Sequence, residues 1–467
     1  MHRSKYPAHR EGRRPSRKSS RTRIRDAAAA DRPSAIETTG ELFSDGRGIE
    51  LIRDAETGCL NLLFFDGETC TLAPRVEYMG RMYAPADVSP SILRAVTWPT
   101  KSTPYGSTDQ LFTAVREPLT NHGFPTEVAL CATYFVFPTW FPECLPAAPC
   151  LSITGPRPEA NLLLQLLGCL VRRALPLAEV SRAGLCSLPM GLQPTLLIDL
   201  EHLSPSTRRL LSASNSPNAY VPWRGALVNL YSAKAIYRGD SLGDGLFGDA
   251  ALRINLAPSR GRLPILDAST QQEIASELQS RLVAYRSRNI GKVRESEFDL
   301  PAFGSPTRIL ARVLGACIVD APDLQAGLVP LLEEHEEKIR AARWVDLRCV
   351  VLEALVFHCH RGQEDRVYVG EITRTAAVIQ KGRGETAQLE PRAIGHLLRS
   401  FGFCLRRDSK GWALALTDTV RRRIHRLARD FDLSAVREGV AMCGHCAEIV
   451  VAGHTRNQDA PTLEGEE

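Results

Sequence analysis

Residues 150–162 read Cys-Leu-Ser-Ile-Thr-Gly-Pro-Arg-Pro-Glu-Ala-Asn-Leu, a short apolar run that stops at a glycine and passes directly into a leucine-rich segment. A loop that cradles phosphates has the form G-x-x-x-x-G-K-[ST]. Its glycines let backbone amides wrap the anion, its lysine reaches the terminal phosphates, and its hydroxyl residue holds magnesium. Only Gly155 keeps its place here. Ala160 stands for the second glycine, Asn161 for the lysine and Leu162 for the hydroxyl residue. Further on, Leu196-Leu-Ile-Asp199-Leu-Glu201 is an apolar strand ending in carboxylates, the arrangement that orients magnesium beside such a loop. Losing the lysine removes a charge-assisted phosphate contact and losing the hydroxyl removes a metal ligand, each worth a few kcal/mol in a transition state. The expectation is a nucleotide site of vestigial residues that does not hydrolyse ATP. The alternative is an ATPase using ATP and magnesium in which Arg157 replaces the lysine.

The elements that would position these residues form an alternating series. Pro149–Thr154 and Thr195–Asp199 read as fully buried strands, and Asn161–Arg173 and Ser204–Ser214 as helices between and after them. Leu227–Ile236 is a strand carrying Lys234, and Ala251–Ala257 one carrying Arg253. Apolar strands separated by helices predict an α/β fold with a parallel sheet covered on both faces. Helical periodicity then continues through Gln271–Arg286, Ser305–Val319, Leu324–Arg343 and Asp346–His360.

With that order laid out, the chain resembles the AAA-type P-loop ATPases of phage and plasmid replication proteins, of the helicase and primase-associated kind. The residues that carry the resemblance are Ile153-Thr-Gly155, Pro194–Leu203, Arg208–Ser214, Tyr231–Gly239 and Leu252–Leu256. It covers roughly residues 96–365 and the C-terminal segment. The resemblance implies a P-loop NTPase-like sheet with a helical lid, a magnesium-binding acid at Asp199, a water-activating acid at Glu201 and a γ-phosphate arginine at Arg253. It places Gly155, Asn161 and Lys234 at the nucleotide. It also implies a homo-oligomer, replication or transcription proteins as partners, and a mobile-element origin.

Residues 345–433 read as helix, short strand, helix, helix, hairpin and helix, the order of a winged helix. Pro391–Phe401 turns Ile394, Leu397, Leu398 and Phe401 inward and leaves Arg392, His396 and Arg399 outward; Arg406, Arg407 and Lys410 fall on the hairpin. In a DNA-binding winged helix such residues read bases and neutralise phosphates respectively. Arg421, Arg422, Arg423 and Arg426 on the last helix are further phosphate candidates. The competing reading of the segment is a protein-interaction module whose charges are a solvated face; a further alternative for the whole chain is a winged-helix transcriptional regulator whose large N-terminal part is a scaffold or ligand sensor.

The charge distribution agrees with a polyanionic partner. Residues 1–32 carry about +8, residues 366–433 about +7, and the chain between them about −6, within a net charge of +5. Residues 1–38, rich in Arg, Ser, Pro and Ala, lack the apolar residues needed to offset chain entropy and are expected to be a disordered tail. That tail is either a nucleic-acid arm or a solubilising segment. Residues 39–95 form a small β-rich region, 96–265 the nucleotide-fold core, 266–344 the helical lid, 345–433 the winged helix and 434–467 a flexible tail. No apolar run is long enough for a bilayer, and the basic N-terminus has no apolar stretch after it, so no membrane partner and a cytoplasmic location are expected. The cysteines stand singly in apolar segments, as buried free thiols do. Cys443, Cys446 and His454 make half of a zinc site, which needs four ligands; zinc with a ligand from elsewhere, a redox pair and no ligand at all remain open. Asp240–Gly245 is loop-like with calcium as a weaker candidate. His358 and His360 are expected in packing, and His335 on a solvated face.

Overall fold

The computed structural model describes residues 35–200, 204–238, 251–259, 261–361, 365–384, 389–431, 433 and 444. Two compact units divide between Ser89 and Pro90. The first contains β1 (Ile36–Thr38), β2 (Glu41–Leu42), β3 (Gly48–Arg53), β4 (Leu60–Phe65), β5 (Cys70–Ala73), β6 (Val76–Tyr78) and β7 (Arg81–Pro85). Strands pair in the orders β2-β3-β4-β5 and β1-β7-β6. Two aspartates close the turns of the meander: the carboxylate of Asp54 accepts from the Thr57 amide at 2.7 Å, and that of Asp66 from the Thr69 amide at 2.7 Å. In the strands joined by these turns Leu51, Ile52, Leu62 and Phe65 are wholly buried, and β3 is buried along nearly its whole length rather than on alternate residues.

The second unit opens with α1 (Pro90–Ala95), α2 (Thr108–Asn121) and α3 (Thr126–Val136), then builds a parallel sheet. Its members are β8 (Cys150–Thr154), β9 (Ala174–Leu177), β10 (Thr195–Leu200), β13 (Lys234–Arg238) and β14 (Leu252–Asn255), in the order β14-β8-β13-β10-β9. Every neighbouring pair is parallel, so the α/β expectation holds. Helix α4 (Arg157–Leu170) follows β8, α5 (Arg182–Ser187) follows β9 and α6 (Pro205–Ala213) follows β10, with the hairpin β11 (Tyr220–Trp223) and β12 (Ala226–Asn229) inserted before β13. Leu151, Ile153, Ile198, Ile236, Leu163 and Leu166 are fully buried or nearly so between sheet and helices, each stabilising the fold by about 1.5–3 kcal/mol.

The expected strand Leu227–Ile236 is two strands. Asn229 turns the chain between them: its amide nitrogen donates to the Pro217 carbonyl at 2.9 Å and its oxygen accepts from the Tyr231 amide at 2.9 Å. The aromatic run 128–138 lies mainly in α3, where continuous apolar character reflects burial on all sides.

Helix α7 (Ala268–Arg294), the first of those expected as a lid, lies along α4, with the Gln279 side chain donating to the Cys169 carbonyl at 3.2 Å and Arg286 paired with Glu143. Then come α8 (Ser305–Gly315), α9 (Pro322–Ala326) and α10 (Leu328–Val345). His335 is buried rather than on a solvated face, because it falls on the α10 stripe of Leu328, Leu332 and Ile339. The C-terminal segment contains α11 (Leu347–His360), β15 (Arg366–Tyr368), α12 (Val369–Gly382), α13 (Pro391–Ser400), β16 (Leu405–Asp408), β17 (Gly411–Ala415) and α14 (Asp418–Asp430). Its three strands are antiparallel in the order β15-β17-β16, over a core of Val350, Leu355, Ile372, Ile394, Leu398 and Ile424. Cys131, Cys150, Cys169, Cys317 and Cys349 are buried free thiols. Among the described residues no helix is long and apolar enough to cross a membrane.

Candidate functional site

Ligands of open parallel sheets settle outside the carboxyl ends of the strands where the winding reverses. Here the chain leaves β8 for β9 at the far edge, returns through β10 to β13, and then crosses β8 to reach β14. The reversal therefore lies beside the end of β8, where Gly155 stands. Its φ of +118° needs glycine, and a Cβ there would sit 2.3 Å from the Leu256 carbonyl oxygen. The Leu256 amide donates to the Thr154 carbonyl at 2.8 Å, and the Tyr237 hydroxyl to the Gly155 carbonyl at 3.1 Å.

Only Gly155 and Pro156 separate β8 from α4. The helix thus begins at Arg157, and Ala160, Asn161 and Leu162 all lie inside it. Pro156 and Pro158 have no amide hydrogen, and the Ala160 amide donates to the Pro156 carbonyl at 3.1 Å. Asn161 is half-buried and Leu162 buried. The first turn also carries Glu159, whose Oε1 accepts from the Ser259 amide at 2.7 Å while Oε2 is buried with no hydrogen-bond partner.

Asp199 is the last residue but one of β10, next to this turn. Its Oδ2 lies 3.3 Å from Nη2 of Arg157, and its Oδ1 is buried with no hydrogen-bond partner. Glu201 lies outside the described residues. Lys234 is not at this edge. In register it stands opposite Cys150, at the start of the strands, whereas Arg238 stands opposite Thr154 and Leu200 at their ends. Lys234 is fully buried there, its Nζ donating to Asn215 Oδ1 at 2.6 Å, and burial pushes its pKa down. The sequence reading ended that strand too early and so missed Tyr237 and Arg238. Arg253 lies in the middle of edge strand β14 opposite Ser152, three strand spacings or about 14 Å from β10, and does not join Asp199.

In the C-terminal segment Arg392, His396 and Arg399 are all exposed along α13, and Arg406, Arg407 and Lys410 along the β16–β17 hairpin. The helix turns these outward because Ile394, Gly395 and Leu398 face the core. The Lys410 amide donates to Asp408 at 2.8 Å and holds its carboxyl below the usual range; the Tyr368 hydroxyl, donating to the same carboxylate at 2.9 Å, is pushed up by that bond. Arg399 lies over the Trp412 ring, 5.0 Å from its centroid.

Two of the expected phosphate contacts on α14 are instead internal. Arg421 donates to the carbonyls of Leu416 at 3.0 Å and Cys359 at 2.8 Å, and Arg423 to that of Phe401 at 2.8 Å, where each satisfies an element end. Arg422 pairs with Asp418 at 3.1 Å. His358 packs against Thr375, its Nε2 3.0 Å from the hydroxyl, and His360 faces His425 with 3.2 Å between Nε2 atoms. Cys443, Cys446, His454 and Asp240–Gly245 lie outside the described residues.

No family model and no curated protein matches the chain. Among solved structures it is similar to a full-length MCM homolog from Methanopyrus kandleri, at 12% identity over 62% of this chain and 76% of that one, with a TM-score of 0.31. It is also similar to the C-terminal region of NrS-1, at 11% identity over 79% of this chain and 96% of that one, TM-score 0.29. Drosophila ORC bound to DNA matches at 10% identity over 76% and 96%, TM-score 0.19. Likeness of this size identifies neither a family nor an activity.

Proposed function

We propose that this chain is a P-loop-fold protein that does not hydrolyse nucleotide and that engages DNA through a C-terminal winged helix. The observation that carries the DNA half is the segment 347–430: helix, strand, helix, helix, hairpin and helix in that order, with Arg392, His396 and Arg399 exposed on the second helix of the pair and Arg406, Arg407 and Lys410 exposed on the hairpin. In a winged helix that second helix enters the major groove and the hairpin meets the backbone. Arg392, His396 and Arg399 then face bases, and Arg406, Arg407 and Lys410 phosphates. A replication or transcription partner, or a second copy of the chain, would act on the same complex.

The residues at the sheet edge do not fit a magnesium triphosphate. A phosphate cradle needs several amides pointing at one anion, and this turn is two residues long, with prolines at 156 and 158 and the Ala160 amide already bonded. A carboxylate at Glu159 repels the anion, and Leu162 offers magnesium no oxygen. A second reading has one observation in its favour: Arg157 sits beside Asp199, where it would take over the role of the missing lysine.

Calorimetry with ATP and magnesium on the full chain and on Asp199→Ala separates the readings. Saturable binding in the micromolar range that the substitution abolishes supports the second reading; no heat at millimolar ATP supports the first. For DNA, affinity measured against salt should fall linearly on logarithmic axes, and removing Arg406, Arg407 or Lys410 should lower the slope by about one each. Affinity independent of salt and of these residues would leave the module a protein-interaction surface.

A further inference from the structure

Between α12, α13 and the β16–β17 hairpin the module carries an open cleft of about 650 Å³, within the roughly 300–1,000 Å³ of sites for nucleotide-sized ligands. Its rim is cationic, with Arg374 from α12, Arg392 and Arg399 from α13 and Lys410 from the hairpin turn. The one carboxylate in the lining, Glu371, accepts from the Tyr368 amide at 3.0 Å and lies 4.0 Å from Arg374. No ion pair to Arg392, Arg399 or Lys410 occurs among the described residues. One wall is Trp412, 45% exposed, with the Arg399 guanidinium over its ring.

Two glycines keep the cleft open without being needed by the backbone. Neither Gly370 nor Gly395 has a positive φ. A Cβ on Gly370 would meet nothing within 4 Å, and one on Gly395 would meet only Leu405 and Val369 side-chain atoms, at 3.9 and 4.0 Å, ordinary contact distances. Glycine within a helix costs about 0.5–1 kcal/mol relative to alanine. Packing gives no return on that cost at either position; open volume does.

A concave site with a half-exposed indole among cations suits a base whose face is free. In a duplex the faces are stacked inside and only edges reach the groove, whereas an unpaired base stacks on an aromatic ring while cations track its phosphates. We propose that this cleft holds an unpaired nucleotide of single-stranded DNA, its base against Trp412 and its flanking phosphates among Arg374, Arg392 and Lys410. The proposal rests on the reading that this module binds DNA, and it changes what the module is for: α13 contributes Arg392 and Arg399 to a single-strand cleft, leaving His396 outside its lining.

Fluorescence anisotropy of the full chain with labelled dT20 and with a 20-base-pair duplex, at two salt concentrations, tests it. Trp412→Ala should weaken dT20 binding about tenfold and change duplex binding less than about twofold. Gly370→Leu fills the cleft while raising helix propensity, so the same loss in that variant is not unfolding. Single-strand affinity unchanged in both variants, or single-strand and duplex affinity falling together, overturns the cleft while leaving DNA binding by the module intact. No binding of either DNA at low salt overturns the underlying reading as well.

Discussion

The two candidate regions of the second unit use their charged residues in opposite ways. At the end of β8 the groups that could do chemistry are turned on the protein itself: Asp199 on Arg157, Glu159 on the Ser259 amide, the Gly155 carbonyl on Tyr237. On α13 and the β16–β17 hairpin the cations Arg392, Arg406, Arg407 and Lys410 face outward, with Arg399 over an exposed ring. The difference teaches that a carboxylate at the end of a parallel strand is not by itself an active site. What matters is whether the fold gathers donors around one open place: four cations line the cleft beside α13, whereas the sheet edge turns its groups on one another.

The comparison breaks most clearly at Gly155. If that turn is packing rather than a ligand loop, Gly155→Ala forces a positive φ and a clash with the Leu256 carbonyl, and unfolding in urea should show a loss of roughly 3 kcal/mol. A loss below about 1 kcal/mol would mean that the turn can open, as a ligand loop must. Next in size is Glu159→Ala, which leaves the Ser259 amide without its acceptor and should cost about 1.5–3 kcal/mol; Glu159→Gln keeps the acceptor and should cost less. On the other region, Arg407→Ala should alter stability by less than about 0.5 kcal/mol, so any loss of DNA affinity there reads directly as contact.

A pH effect distinguishes the back of the module from both. The Arg421 carbonyl, 2.8 Å from Nδ1 of His425, accepts a hydrogen bond from that nitrogen's N–H, so in the neutral ring Nε2 of His425 is an acceptor toward His360. Burial holds His360 below its ordinary 6.5. A folded-state pKa below the unfolded one means that the unfolded chain binds more protons, so this contribution is complete above about pH 6.5 and is lost as pH falls toward the folded pKa. Thermal denaturation should show stability declining below pH 6.5, with a shallower decline in His360→Phe; identical profiles would mean that the pair does not titrate with folding.

Much of this was legible in the sequence, and what was not has physical causes. Strands β3, β4, β8 and β10, the hairpin turn at Ser409 and Lys410, and the outward face of α13 follow from apolar periodicity and turn chemistry, which act locally. Three features depended on distant partners. The early start of α4 is set by prolines that end a strand and begin a helix within two residues, so a motif aligned on spacing began the helix at Asn161, whereas the chain is helical from Arg157. The end of β13 at Arg238 rather than Ile236 is fixed by pairing with β8 and β10. The cleft joins residues 368 to 412 in three dimensions only, and its local signs were two helix glycines, Gly370 and Gly395, that the backbone does not need.

A small effect is also expected at Asp199, where it tests whether the strand ends take a metal. Its pair with Arg157 is partly exposed, at 3.3 Å, and such pairs contribute about 0.2–1 kcal/mol, so Asp199→Ala should barely shift the unfolding midpoint in buffer. The carboxylate also keeps Oδ1 buried with no hydrogen-bond partner, a position in which a divalent cation would stabilise the folded state by an amount that grows with its concentration. Melting the full chain and the variant with 0, 1 and 10 mM magnesium therefore resolves what the ion pair leaves open. Parallel melting curves mean that Asp199 holds no magnesium in the folded chain; a midpoint that rises with magnesium in the full chain and not in Asp199→Ala means that the ends of these strands bind the ion through that carboxylate.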